Sequence, residues 1–355
     1  MTMPENIIDW ARKQGARVEH HDSEPVILEF SGRAQEYDAA QKSAAFFVLD
    51  DLQTVSVAGK DAADLLHRLT MNEMRRLNPG DSVINAFPDA NGRLAAVFLL
   101  KKNEAGFELM VPGRKGKVVA DWIEKYTFIE EVTCELKPDV DYFLLVGPES
   151  EAVLGMSIAE NHFDRLDVNG ISAHAGGVGG LFPRGVLLQV AREESTAFAQ
   201  ALVSSDSGPT VQAAGWQAYQ LLRVEACVPE VGAEITPRQN PYEAGLQRFI
   251  SYTKGCFTGQ EVIARLDTYD KVKYTYTGLR LETREVPELP APVYAGEMEV
   301  GEVTSAVLAR AGDEVLALGR IRKKFLDEQS GYTVQTGSGS CPLFVRSCPH
   351  EHEQK

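Results

Sequence analysis

No strongly apolar run in this chain is longer than Leu94 to Leu100. A bilayer-crossing helix needs about 20 such residues. Apolar surface must therefore be buried by packing short elements on one another, which predicts a soluble, mixed α+β protein with no membrane partner. At 355 residues the chain is too long for one ordinary core, so two or three domains are expected. Hydrophobic residues are 44% and charged residues 25%, which excludes a disordered, collagenous or coiled-coil chain. Lys and Arg number 36 against 51 Asp and Glu, a net charge of −15. Such a surface repels phosphate backbones and disfavours nucleic acid, while leaving room for a local basic pocket that takes a small anion. The N-terminal residues lack a basic start followed by an apolar core, so no secretory signal is expected. The cysteines are Cys134, Cys227, Cys256, Cys341 and Cys348. An odd, sparse set predicts free thiols in a reducing compartment, by default the cytoplasm.

Local patterns divide the chain. Ile7, Ile8, Trp10 and Ala11 make a short apolar helical patch, and Val26–Phe30 reads as a strand. Ala62, Leu65, Leu66 and Leu69 recur at helical spacing, one apolar stripe with Asp61 at its start. Asn91-Gly92 is a strong hairpin signal before the buried strand Leu94–Leu100. Phe107, Leu109 and Val111 alternate as a half-buried strand, and Val118, Val119, Trp122, Ile123 and Tyr126 mark another helix. Gly176–Gly180 reads as a flexible connection, without the helix pattern a dinucleotide fingerprint requires. Trp216, Tyr219 and Leu222 lie on a helix running toward Glu225. After Asp270 the texture becomes β-rich with glycine punctuation, predicting a small all-β domain over 271–335 and a loose tail over 336–355. In that tail Cys341, Cys348, His350 and His352 could hold a soft metal, but no metal site is expected. His20-His21-Asp22 reads as an exposed polar turn.

The segment richest in chemistry is Lys254-Gly255-Cys256-Phe257-Thr258-Gly259-Gln260-Glu261. Thr258 and Glu261 have capping-box spacing, so a helix should start near Gly259. Cys256 would then precede a helix N-terminus with Lys254 close by, and both favour a thiolate. A plain turn with an inert buried cysteine is the blander alternative. Upstream, Arg223-Val224-Glu225-Ala226 ends a helix. It is either a solvent-facing ion pair or the floor of a polar pocket.

The Lys254–Glu261 octapeptide resembles the signature of YgfZ-type folate-binding proteins, relatives of the glycine-cleavage T-protein that act in iron–sulfur cluster maintenance. Supporting resemblances are Val57–Ala62 through Thr70, Arg223–Ala226, Asn240–Leu246 and Gly301–Ala306, together covering about 25–335. The resemblance implies a three-domain ring with a folate in its channel and a small C-terminal β-barrel. Residues 1–52 would join 139–270 as one domain, around an inserted domain at 53–138. It further implies tetrahydrofolate or a derivative as cofactor, with Glu225 binding the pterin's adjacent N–H donors in bidentate fashion. Lys254 would meet the folate's glutamate tail, and Cys256 would be the functional thiol. The function implied is a tetrahydrofolate-binding accessory protein, with iron–sulfur proteins or their assembly factors as partners. The alternative is a folate-dependent aminomethyltransferase of the T-protein type. T-proteins carry an acidic pair after the hairpin glycine, where this chain has Gly92-Arg93-Leu94-Ala95-Ala96-Val97, and that difference favours the accessory reading.

Overall fold

The computed structural model describes residues 6–21, 23–204, 209–326 and 331–348. They form a mixed α/β fold that separates into two compact units.

The first unit comprises residues 1–62, 77–83 and 99–222. Its centre is a six-stranded sheet in the order Phe163–Val168, Ile171–Val178, Gly185–Ala191, Val140–Val146, Ala44–Val48, Val211–Ala214. Neighbours are antiparallel except the last pair, which is parallel. One face buries Phe46, Phe143, Leu145, Leu188 and Phe198. Trp10, on the helix Ile7–Lys13, joins them through Phe30 and Phe46, 5.9 and 6.2 Å between ring centroids.

Several local expectations change here. The Arg33–Lys42 helix has no apolar stripe to announce it. Its buried Glu36 instead accepts hydrogen bonds from the backbone N–H groups of Phe30, Ser31 and Gly215. Gly176 and Gly177 are not a flexible connection but part of the strand Ile171–Val178. A Cβ at Gly176 would lie 2.7 Å from the Phe163 ring, so the glycine is there for close packing. His20 and His21 belong to the strand Arg17–His21 rather than a turn, and Asp22 lies outside the described residues.

The second unit comprises residues 63–76, 84–98 and 223–355. The stripe on the helix Ala62–Leu69 is buried throughout. Residues 84–98 turn at the expected Asn91-Gly92, with Gly92 at φ 70°. A closed barrel follows in the order Tyr274–Leu281, Val315–Arg322, Met298–Leu308, Ala291–Ala295, Tyr332–Thr336, Gly339–Arg346. Its core includes Leu279, Val293, Val303, Ile321 and Val334. The expected loose tail instead supplies the closing strand, because Gly339–Arg346 pairs with both Tyr332–Thr336 and Tyr274–Leu281. Residues 349–355, which include His350 and His352, lie outside the described residues.

Candidate functional site

Glu225 is the last residue of the helix Trp216–Glu225 and is half-buried. A carboxylate at a helix C-terminus faces the negative end of the macrodipole, so it is placed against local electrostatics. The closing barrel strand compensates. Arg346 donates from Nη1 to the Glu225 carbonyl and from Nη2 to the Val224 carbonyl, both at 2.7 Å. Burial lowers the Arg346 pKa, and the Glu225 charge opposes that shift. Arg223 is no solvent-facing partner. It is buried and donates to the Val228 carbonyl at 3.0 Å, to Glu234 at 3.2 Å and to Ser305 at 2.9 Å.

The chain then turns at Cys227, whose φ is 53°. Cys227 is disulfide-bonded to Cys348 across 121 residues, with Cα atoms 5.6 Å apart. The expectation of five free thiols is corrected accordingly. Cys134, Cys256 and Cys341 are the free cysteines among the described residues. The turn after Glu225 and the residues that follow the last strand converge, which no spacing in the sequence reveals.

Lys254 is buried rather than displayed. Its Nζ donates to the carbonyls of His67 at 2.8 Å, Thr70 at 2.6 Å and Asn72 at 3.0 Å. The His67 carbonyl is one of the acceptors left open in the last turn of the helix Ala62–Leu69, and Thr70 and Asn72 lie just past its end. An ammonium has three N–H donors, and all three are engaged within the protein. Burial lowers the Lys254 pKa to about 8. His67 is buried alongside, its Nδ1 3.5 Å from Glu73 Oε1. Burial, followed by the Lys254 charge, lowers its pKa. The sequence gives no sign of His67, because its neighbour Gly255 is nearly 190 residues away.

Cys256 is exposed rather than buried. The helix after it runs Gln260–Thr268, close to the expected start, but its N-cap is Gly259 in the left-handed region, with no side-chain cap. The Thr258 capping box does not form, and Thr258 N–H goes to the Arg68 carbonyl at 3.0 Å. A Cβ at Gly259 would collide with the Asp89 carbonyl, and one at Gly92 would meet Val262 and Ile263. The octapeptide's glycine thus seats the helix on the hairpin loop. In that loop Asp89 Oδ1 accepts from the backbone N–H groups of Asn91 and Arg93, both at 2.8 Å, so its carboxylate shapes the turn. Ala95 and Ala96 beyond it bring no carboxylate. Among the described residues no group of His, Cys, Asp or Glu could hold a metal. No helix is long and apolar enough to cross a membrane.

Known proteins resemble this chain over nearly its whole length. An aminomethyltransferase of Bacillus cytotoxicus is 22% identical over 329 residues, 90% of each chain. One of Natranaerobius thermophilus is 22% identical over 347 residues, 94% of each chain. The crystal structure of glycine cleavage system aminomethyltransferase T from Bartonella henselae shares the fold, with a TM-score of 0.85 at 20% identity and 98% coverage of both chains. Proteins of the aminomethyltransferase family use tetrahydrofolate. These findings overturn the expectation of an accessory protein for iron–sulfur cluster assembly, because the similar proteins are aminomethyltransferases. The GCVT N-terminal domain matches residues 7–254, well over half of the sequence, and the chain belongs to that family, within the glycine-cleavage T-protein superfamily.

Proposed function

We propose that this protein binds a reduced folate and acts as a folate-dependent aminomethyltransferase of the T-protein type. Glu225 carries the reading. A half-buried carboxylate held against a helix dipole is costly for stability, and its backbone is fixed by Arg346. Such a group is suited to accept paired N–H donors, which a pterin ring presents side by side. Membership in a family whose proteins use tetrahydrofolate supports the same ligand. Tetrahydrofolate would supply the nitrogen that carries the one-carbon unit. Glu225 would orient the ring, and the exposed Cys256 is a thiol available to that chemistry. Within the superfamily, the Lys254–Glu261 octapeptide and the alanines at 95 and 96 support a resemblance to the YgfZ-type branch.

Calorimetric titration with tetrahydrofolate, paired with folate-dependent ammonia release from an aminomethylated carrier protein, tests the proposal. Truncating one partner of a buried, charged hydrogen-bonded pair costs about 2–5 kcal/mol. Glu225→Ala should therefore weaken folate binding by roughly 30-fold to several thousand-fold, with loss of ammonia release. Absence of folate binding by the wild type, or an unchanged affinity in Glu225→Ala, overturns the assignment.

A further inference from the structure

The strand Thr133–Lys137 lies at the edge of its sheet, and among the described strands it pairs with Gln53–Ala58 alone. Such an edge offers backbone N–H and C=O groups to another strand. Glu135 and Lys137 are two residues apart on it, so they share a face, and they pair with each other at 2.6 Å. Leu136 lies on the other face, beside the helix Gly116–Lys125, where a Cβ at Gly116 would sit 2.6 Å from its Cδ1. It is nonetheless 43% exposed. The loop leading into the strand adds Phe128 and Ile129, 81% and 93% exposed. That loop is firmly held. Glu130 Oε2 accepts from the N–H groups of Phe128 at 2.9 Å and Ile129 at 3.2 Å, and Asp61 Oδ2 accepts from the Glu131 N–H at 2.7 Å. Apolar side chains presented to solvent on a fixed backbone mark a contact surface.

The edge is complementary to itself. A two-fold axis normal to the sheet sets a second copy of the strand antiparallel to the first. Opposite side chains must share a face, so the pairing centres on a residue. With Leu136 at the centre, Glu135 stands opposite the partner's Lys137, and Lys137 opposite the partner's Glu135. Leu136 then meets the partner's Leu136. With Glu135 at the centre, like charges would face each other. With Cys134 at the centre, Leu136 and Lys137 would fall opposite residues 132 and 131, which precede the strand. Pro138 has no N–H to donate, so the ladder stops just past Lys137. We propose that the Thr133–Lys137 edge binds a second copy of this chain by antiparallel strand pairing centred on Leu136. An isologous contact of this kind closes as a dimer and does not grow into a fibre. A ladder this short makes a contact below the roughly 1,200 Å2 of a standard interface, so the dimer is weak and reversible.

Sedimentation of the full chain, followed up to about 500 µM, should show a dimer with a dissociation constant of roughly 10–100 µM. Lys137→Glu sets like charges opposite each other twice over and should weaken it by about tenfold. Glu135→Lys/Lys137→Glu restores opposite signs and should return the constant to within about threefold of wild type. High salt should narrow these differences. Leu136→Cys, in a Cys134→Ser/Cys256→Ser background, should cross-link to its own copy under oxygen with a copper catalyst. A monomer at every concentration overturns the proposal. So does a double variant no better than Lys137→Glu. A disulfide between copies through Cys134, with none through Leu136→Cys, would move the centre two residues back and also overturns it. If Phe128→Asp/Ile129→Asp abolishes the dimer while the charge variants leave it unchanged, the copies meet through the loop and the edge assignment fails.

Discussion

Two helices of this protein end on a cation supplied from far along the chain, and they do so with different chemistry. At the end of Ala62–Leu69, Lys254 sends one buried ammonium to three carbonyls. At the end of Trp216–Glu225, Arg346 spreads two guanidinium nitrogens over two carbonyls, with the Cys227–Cys348 bond close behind. Helix C-termini leave acceptors that need such partners. The lysine clamp uses a group whose charge titrates, whereas the arginine clamp keeps its charge at any ordinary pH. The titrating clamp holds the octapeptide loop beside Cys256, and the permanent one holds Glu225. The residue proposed to read the ligand is therefore on the support whose charge does not change with pH.

Three changes can break or sharpen that contrast. The largest effect should come from Cys348→Ser, which removes a cross-link spanning 121 residues. Stability in urea should fall by about 2–4 kcal/mol, and reductant should bring the wild type to the same midpoint. An unchanged midpoint would show that Arg346 holds the turn alone. Lys254→Met comes next, because it strips a donor from three carbonyls and should cost about 1–3 kcal/mol. The same variant carries a pH signature. Lys254 in the folded protein loses its proton near pH 8, below its ordinary value of 10.5. The unfolded chain binds more protons between those values, so its contribution makes wild-type stability rise as pH rises through that window. The midpoint measured at pH 7 and pH 10 should show this slope in the wild type and a weaker one in Lys254→Met. An equal slope in both would remove Lys254 as its source. Arg346→Lys should be the mildest, about 1 kcal/mol by thermal unfolding, since one point charge replaces a two-armed fork. A loss larger than that of Lys254→Met would reverse the ranking of the two clamps.

What the sequence revealed follows the same division between near and far. The stripe Ala62–Leu69, the Asn91-Gly92 turn, the helix near Gly259 and the β-rich C-terminal region are patterns within one element, and each is observed. Glu225 was singled out as a helix-end carboxylate, but the Arg346 that fixes its backbone lies 121 residues on, in a stretch whose Gly/Ser composition suggested disorder. That composition misled because a barrel strand draws its stability from two neighbours, not from its own propensity. Lys254 read as a cation beside Cys256, and its burial was missed because three backbone carbonyls leave no trace in a sequence. The Thr258 box had the right spacing, yet the close approach of Gly259 to the Asp89 carbonyl fixes a left-handed N-cap instead.

The closing strand Gly339–Arg346 also sets an order on the making of this protein. A ribosome delivers the Trp216–Glu225 helix more than a hundred residues before it delivers Arg346 and Cys348. Until then the barrel lacks its sixth stave, and Glu225 has neither its guanidinium support nor the cross-link behind it. Nascent chains fold domain by domain as they emerge, so the first unit, complete by residue 222, can assemble during synthesis. The turn after Glu225 must wait for the last stretch of translation. A chain released short of residue 339 would carry Glu225 in its sequence without the structure that aims it.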